Sequence, residues 1–266
     1  MPAVNRPCDA CGSTDAVRLL EKDGYPVVRC AGCGLVYVDA VLGDADIERI
    51  YGREYYTGAV FDEYMAEQDA RLALARSRVR RLRRRRPEGA LLDVGCAAGY
   101  FLEAAKDSYA VTGVEVSAYA ADYARTTFGH RVVTGEIGEA GFPGAAFDVV
   151  TLWDTVEHLR EPSAVLGEIG RVTRPGGLLA LTTGDVESRL ARRDLRRWDL
   201  MTPPWHLFFF SADTLGRVLA KAGFRIERIS RDGFVSARPR LRTWPVALLM
   251  AALGQGNVMT VYARRT

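Results

Sequence analysis

The chain has 266 residues and a formal net charge of only +3, so it is not a protein that holds nucleic acid by bulk charge. Its 48% of hydrophobic residues is ordinary for a globular protein, and the length allows one large domain plus a small appendage. No segment has the roughly 20 apolar residues a membrane span needs, and Met1–Pro7 lacks the apolar core of a secretion signal. A cytoplasmic location is expected.

Residues 1–42 carry Cys8-x-x-Cys11 and Cys30-x-x-Cys33, the spacing of a four-cysteine zinc site. Gly12, Gly32 and Gly34 flank the pairs, where knuckle turns need tolerance of positive φ. In a reducing compartment disulfides are the weaker explanation. With no histidine or carboxylate to mark an open position, a closed structural zinc is expected, in a ribbon whose strands run over Val27–Cys30 and Leu35–Val38. The metal would supply the folding free energy of so small a module.

Residues 43–88 read as a helical connector. Asp44–Ile50 suggests a short helix, Tyr51–Gly58 an aromatic-rich loop, and Phe61–Arg86 a long helix. Tyr64, Leu72, Leu74, Val79 and Leu82 are its candidate buried positions. Its second half carries Arg76, Arg78, Arg80, Arg81, Arg83, Arg84, Arg85 and Arg86. This is either a solvated face with cations near a helix C-terminus or a grip for phosphate.

From residue 89 onward the pattern is α/β. Ala90–Val94 is an unalternating apolar run broken only by Asp93, as in a parallel strand covered on both faces. Gly95 and Gly99 then permit a tight turn before a helix at Tyr100–Lys106. A second strand, Ala110–Val116, brings Glu115 about twenty residues after that turn, where an acid can take ribose hydroxyls. Ser117 caps the next helix, which runs to about Phe128. Arg131–Thr134 is a third strand, followed by Gly135-Glu136-Ile137, and Ala146–Trp153 is a fourth, ending in Asp154-Thr155-Val156-Glu157-His158. Pro162 opens a helix and Arg174–Gly177 closes it before a fifth strand at Leu178–Thr183. After a long segment, Gly184–Ser211, come a helix at Ala212–Ala222, a strand at Phe224–Ile229 and a closing strand at Val258–Ala263. Arg238–Leu253 reads as an apolar helix inserted before that last strand, offering core packing or a homodimer face.

The stretch Asp93-Val-Gly95-Cys-Ala97-Ala-Gly99 resembles the first motif of the class I S-adenosylmethionine (SAM) methyltransferases, with Ala97 in place of the usual middle glycine. The resemblance implies a Rossmann-like, doubly wound seven-stranded sheet with an antiparallel last strand, over residues 89–266. It further implies a SAM site, with Asp93 near the methionine moiety and Glu136-Ile137 at the adenine. The expected cofactor-lining set is Asp93, Gly95, Cys96, Gly99, Glu115, Glu136, Ile137 and Trp153. Pro203-Pro-Trp-His206-Leu-Phe-Phe-Phe-Ser is similar to a junction in small-molecule methyltransferases, including ubiquinone-pathway and sugar-modifying enzymes. The four-cysteine ribbon ahead of Tyr55-Tyr56-x-Gly58 resembles the N-terminal part of deoxysugar C-methyltransferases. Those enzymes carry a further C-terminal domain that has no counterpart here, and Trp205 stands where they place an acid.

These resemblances imply methyl transfer from SAM to a small molecule: a hydroxyl of a sugar, nucleotide sugar or natural product. His206 is expected as general base, with Asp154 and His158 as the other catalytic candidates. Trp198 or Trp205 would wall the acceptor, and the arginines of Gly184–Ser211 would hold any phosphate. Asp154-x-x-Glu157-His158 with His206 also looks like the metal site of RNA 3′-terminal 2′-O-methyltransferases. An RNA methyltransferase, gripping its substrate with the ribbon and the arginine helix, is therefore the alternative function.

Overall fold

The computed structural model describes residues 6–43, 67–233 and 256–266, together with Asp46 and Ile50. Contacts divide the chain into two compact units, one of residues 1–41, 154–166 and 181–263, the other of 42–153, 167–180 and 264–266. In chain order the first elements are β1 (Ala16–Lys22), β2 (Tyr25–Cys30) and β3 (Val36–Val38). Then follow α1 (Gln68–Arg83), β4 (Gly89–Val94), α2 (Tyr100–Ala105), β5 (Tyr109–Glu115), α3 (Ala118–Phe128), β6 (Val132–Thr134) and β7 (Phe147–Trp153). The remainder is α4 (Pro162–Val172), β8 (Thr173–Gly184), α5 (Arg189–Arg193), β9 (Phe208–Phe209), α6 (Ala212–Lys221), β10 (Phe224–Gly233) and β11 (Val258–Arg265).

Seven strands make one sheet in the order β10-β11-β8-β7-β4-β5-β6. β4 pairs in parallel with both β5 and β7, and β5 with β6. The last strand, β11, runs antiparallel. This is the expected Rossmann-like architecture. The chain winds outward from β4 to β6 and then returns to β7 on the other side of β4. The carboxyl edge between β4 and β7 is therefore the switch point, where open α/β sheets receive ligands.

Burial follows the apolar runs. All seven residues of β7 are buried, Asp148 included, because its carboxylate is fully employed. It accepts from the Ala90 N–H at 3.0 Å and pairs with Arg86 and Arg174. A buried charge is tolerable on those terms. At the start of α3 the Ser117 hydroxyl accepts from the Ala120 N–H, and Ser211 and Thr214 form a capping box on α6, so both helices begin where their polar residues direct.

Two expectations are corrected and one strand is added. Leu74 is 52% exposed, because α1 turns Ala75, Val79 and Leu82 inward instead. Arg174–Gly177 is not a turn between helix and strand, since β8 already begins at Thr173 and Arg174 is drawn to Asp148 of β7. β1, unforeseen, pairs antiparallel with β2. Of the proposed Asp44–Ile50 helix, Asp46 and Ile50 are helical. Tyr51–Gly58, Tyr64 and Arg238–Leu253 lie outside the described residues.

The ribbon strands belong to a second sheet, β1-β2-β3-β9. Its fourth strand comes from far downstream: Val36 pairs with Phe209 and Tyr37 with Phe208.

Candidate active site

β4 brings Asp93 to the switch point, and the turn after it is built on positive φ at Gly95 (74°), Ala97 (45°) and Gly99 (83°). The Gly95 and Cys96 N–H groups both donate to the Val114 carbonyl, at 2.8 and 3.2 Å, which folds the turn back onto β5. Gly99 is required twice over, since a Cβ there would also fall 2.8 Å from that of Ala124. Cys96 is buried with its sulfur against Gly113, where a Cβ would come within 2.6 Å.

Glu115, at the end of β5, is buried and laces this turn to α3. One carboxylate oxygen accepts the Ala97 N–H at 2.8 Å, the other the Ser117 N–H at 2.9 Å. Burial raises its pKa, and these N–H groups oppose the rise. Asp93 accepts the Thr151 hydroxyl at 2.6 Å. Burial pushes its pKa up to about 7, with the Thr151 bond and the charge of Arg78 pulling the other way.

Arg78 is the residue that sequence reasoning missed. Its guanidinium lies over the Trp153 ring, 4.7 Å from the centroid, while Phe101 packs edge-on against the same ring at 5.3 Å. A signal was present: Arg78 stands three residues after Ala75 and four before Leu82, a cation on the apolar stripe of α1. At the end of β6, Glu136 is exposed and precedes a single 3-10 turn, while Ile137 is 2% exposed.

A second constellation follows β7 directly in the chain. Asp154 adopts a left-handed φ of 55°. Its N–H donates to the Thr182 hydroxyl oxygen at 2.9 Å, and that hydroxyl donates back to Oδ1 at 2.7 Å. The His158 Nδ1 lies 2.7 Å from the Trp205 carbonyl oxygen, and the His206 Nδ1 2.7 Å from that of Leu200. A carbonyl can only accept, so in the neutral rings Nδ1 carries the proton and Nε2 a lone pair. Burial lowers both pKa values below the ordinary one, keeping the rings neutral near pH 7. The rings meet edge to face with centroids 4.7 Å apart.

Close to both lies Glu157, 5% exposed, whose Oε2 has no hydrogen-bond partner among the described residues. Burial pushes its pKa up to about 7, against the pull of His206. One ring nitrogen of each histidine and one Glu157 oxygen lie within 4.8 Å of one another. Converging lone pairs of this kind suit a proton in transit or a divalent cation.

The Gly184–Ser211 segment is packed rather than loose. Trp198 is 2% exposed and lies against Gly184 and Phe209, so it serves the core, whereas Trp205 is 45% exposed.

The four ribbon cysteines also converge, with all four sulfurs within 4.8 Å of one another. Cys8 and Cys33 Sγ are 3.5 Å apart and Cys11 and Cys30 Sγ 3.4 Å, all as free thiols. Zinc–sulfur bonds of about 2.3 Å in a tetrahedron put sulfurs about 3.8 Å apart, so the donor set fits that ion. Gly12 and Gly34, at φ 77° and 82°, donate to the Cys8 and Cys30 carbonyls and close the two knuckles. Burial raises the Cys8 and Cys33 thiols, whereas at Cys30 N–H groups of Cys33 and Gly32 help outweigh burial and bring the thiol down to about 7.

The strand order, the glycine turn and the acids at successive strand ends define the class I methyltransferase fold. Comparison with known proteins agrees. A model of a methyltransferase-domain family matches residues 64–229, and the chain belongs to that family. An O-methyltransferase of Pyrenophora dematioidea is 30% identical over 176 residues, which cover 58% of this chain and 62% of that protein. The ubiquinone biosynthesis O-methyltransferase of Thiobacillus denitrificans is 34% identical over 101 residues, 35% of this chain and 43% of the other. The matched stretch thus spans roughly half the length of these curated relatives. Among solved structures, a SAM-dependent methyltransferase of Thermotoga maritima superposes with a TM-score of 0.59 at 19% identity, covering 82% of this chain and all of that one. Magnesium protoporphyrin IX methyltransferase from Synechocystis, with bound SAH, gives 0.56 at 16% identity over 80% of this chain and 98% of the other. At such identities the likeness establishes the fold.

Proposed function

We propose that the protein is a SAM-dependent methyltransferase that modifies a hydroxyl group of a small molecule, a sugar, nucleotide sugar or natural product. The observation that carries this reading is the pair of neutral imidazoles held on backbone carbonyls beside a buried carboxylate. Such a site accepts a hydroxyl proton and then stabilises the imidazolium. O-methyltransferases among the relatives support the same class of chemistry.

The cofactor residues fit SAM. Asp93, held near neutrality by burial, regains its charge beside an ammonium group, and Arg78 presents the opposite charge for a carboxylate. Glu115 offers its remaining lone pairs to ribose hydroxyls, and Glu136 with Ile137 stands at the adenine. Gly95, Gly99, Cys96 and Trp153 shape the remaining wall. When bound, SAM supplies a methyl group on a sulfonium. In that reaction His206 Nε2 would take the proton of the acceptor hydroxyl. The imidazolium so formed faces Glu157. His158 and Asp154 orient the site, and Trp205 gives a flat apolar surface to a sugar ring.

A structural zinc at Cys8, Cys11, Cys30 and Cys33 completes the proposal. An RNA substrate draws less support, because the arginine helix is partly committed elsewhere: Arg86 pairs with Asp148 and Arg78 lies on Trp153. The test is mass spectrometry of methylated products after incubation with SAM and a panel of hydroxylated small molecules, with total RNA as a parallel arm. One added methyl on a hydroxylated small molecule is the expected result. Methylated RNA alone, or no SAM binding by calorimetry, would overturn the reading.

A further inference from the structure

We propose that the four-cysteine ribbon is the positioning clamp of the His206 cluster, so that disrupting the thiolate site dislodges Glu157, His158 and His206 while cofactor binding persists. The inference rests on the functional reading above for what the cluster does, but the clamp is argued from contacts alone. All of these contacts lie within the unit that holds the ribbon, residues 154–166 and residues 181–263.

The first contact is a continuous backbone relay. β3 starts three residues after Cys33 and pairs with β9. Next along that ladder the Val38 N–H donates to the Leu207 carbonyl at 2.8 Å, and the Leu207 N–H donates to the Glu157 carbonyl at 2.8 Å. His206 and His158 are the covalent neighbours of those two residues. One hydrogen-bonded path therefore runs from the second knuckle to all three members of the cluster.

The second contact comes from inside the first knuckle. Asp9, between Cys8 and Cys11, accepts the Ser163 N–H on its carboxylate at 2.9 Å and the Ser163 hydroxyl on its carbonyl at 3.0 Å. Ser163 lies in the first turn of α4, five residues after His158, so a ribbon carboxylate satisfies an N–H that the helix leaves unpaired. Ala10, the other inner residue of the same knuckle, accepts from Lys221 at the end of α6. Arg6, two residues before Cys8, donates to the Arg160 carbonyl at 3.3 Å, and its guanidinium stands 5.1 Å from the Phe208 ring centroid.

The knuckles thus hold the segments on both sides of the cluster, upstream at residues 157–163 and downstream at 207–209. β3 and β9 have three and two residues, too few to hold register without a fixed base. The ribbon cannot provide that base from its own small core, which makes the metal-linked thiolates the source of rigidity.

The test uses the full chain and two substitutions, Cys33→Ser at a thiolate and Asp9→Ala at a clamp contact that leaves all four cysteines in place. Readouts are zinc content, hydrogen exchange of the Val38 and Leu207 amides, SAM affinity by calorimetry, and turnover of the compound from the hydroxylated small-molecule panel that the parent chain methylates. For Cys33→Ser the expected result is loss of zinc, at least about tenfold faster exchange at both amides, and at least about tenfold slower turnover. SAM affinity stays within about twofold and exchange in β4 and β5 is unchanged, which excludes global unfolding. Asp9→Ala keeps its zinc and shows the same changes to a smaller degree. Loss of zinc with exchange at Leu207 unaltered overturns the clamp. So does intact turnover in both variants. Failure of the parent chain to bind SAM or methylate anything instead overturns the functional reading, while the exchange result still decides the clamp.

Discussion

Two buried glutamates describe the two halves of this molecule. Glu115 has both carboxylate oxygens bonded to backbone N–H groups within the glycine turn and the start of α3. Glu157 is equally buried, yet its Oε2 has no partner among the described residues, and two imidazoles face it. The first is an acid whose charge the backbone partly offsets against burial. The second keeps one carboxylate oxygen without a hydrogen bond, and buried groups of that kind gather where chemistry is done. The proposed cofactor side is thus organised by local backbone, and the proposed acceptor side by contacts from distant parts of the chain.

The largest effect should come from breaking the acceptor side. His206→Ala is expected to lower turnover by about a hundredfold or more and leave SAM affinity nearly unchanged, read by steady-state kinetics beside calorimetry. Near-parent turnover would move the base to His158 or Asp154. Metal analysis sharpens the same experiment: about one zinc per chain, held by the cysteines, agrees with an imidazole base. A second ion that disappears in His206→Ala would make His206 a ligand instead.

Burial raises the pKa of both glutamates, but they should differ in how much neutralisation costs, because only Glu115 is bonded to backbone N–H groups of Ala97 and Ser117. Glu115→Gln removes charge-assisted bonds to Ala97 and Ser117 and should cost about 1–3 kcal/mol of stability as well as SAM affinity. Glu157→Gln relieves a buried charge and should leave stability equal or raised by about 1 kcal/mol while turnover falls. The sign follows from the pKa. Glu157 rises to about 7 on folding, so between its ordinary value and about 7 the unfolded chain loses a proton that the folded chain keeps. Stability therefore falls as pH rises through that window, and the Gln variant should lose that part of the slope in denaturant titrations at several pH values. Equal destabilisation by both substitutions would erase the distinction between the two acids.

How much of this was legible in the sequence divides along the same line. The parallel strands, the turn at Gly95 and Gly99, the Ser117 cap and the acids at strand ends are local patterns, and they were readable. Trp153 could be placed at a strand end, but not the arginine that covers it, because one cation among eight differs only in its helical phase. The convergence of Glu157, His158 and His206 could be suspected from the likeness of Asp154-x-x-Glu157-His158 with His206 to a known metal-site motif. The pairing of β3 with β9, about 170 residues apart in sequence, carries no local signal, and neither does the reach of Asp9 to Ser163. Trp198 and Trp205 look equivalent until packing buries one and leaves the other exposed.

Asp93 gives a smaller effect that still separates the halves. Its pKa of about 7 in the free protein should fall when an ammonium group binds beside it. SAM affinity should accordingly rise with pH up to about 7, with proton release detectable by calorimetry in buffers of different ionisation enthalpy. Asp93→Asn should bind SAM more weakly and lose the pH dependence. A pH-independent affinity in the parent would mean that Asp93 does not face the ligand's charge.

The smallest effect is expected at Ala97, where the turn departs from the usual glycine. Its φ of 45° lies in the left-handed region, which costs an L-residue roughly 1–2 kcal/mol relative to glycine. Replacement by glycine removes that strain but loosens the unfolded chain by about 0.4–1 kcal/mol, so the two terms largely offset. Ala97→Gly should therefore stabilise by only about 0.5 kcal/mol, measurable as a small rise in denaturation midpoint at constant slope. Because the Ala97 N–H holds Glu115, its affinity for SAM should stay within about twofold of the parent. A marked loss of stability would instead show that the alanine methyl packs in the turn and that the glycine side of the comparison is less purely backbone-built than the hydrogen bonds imply.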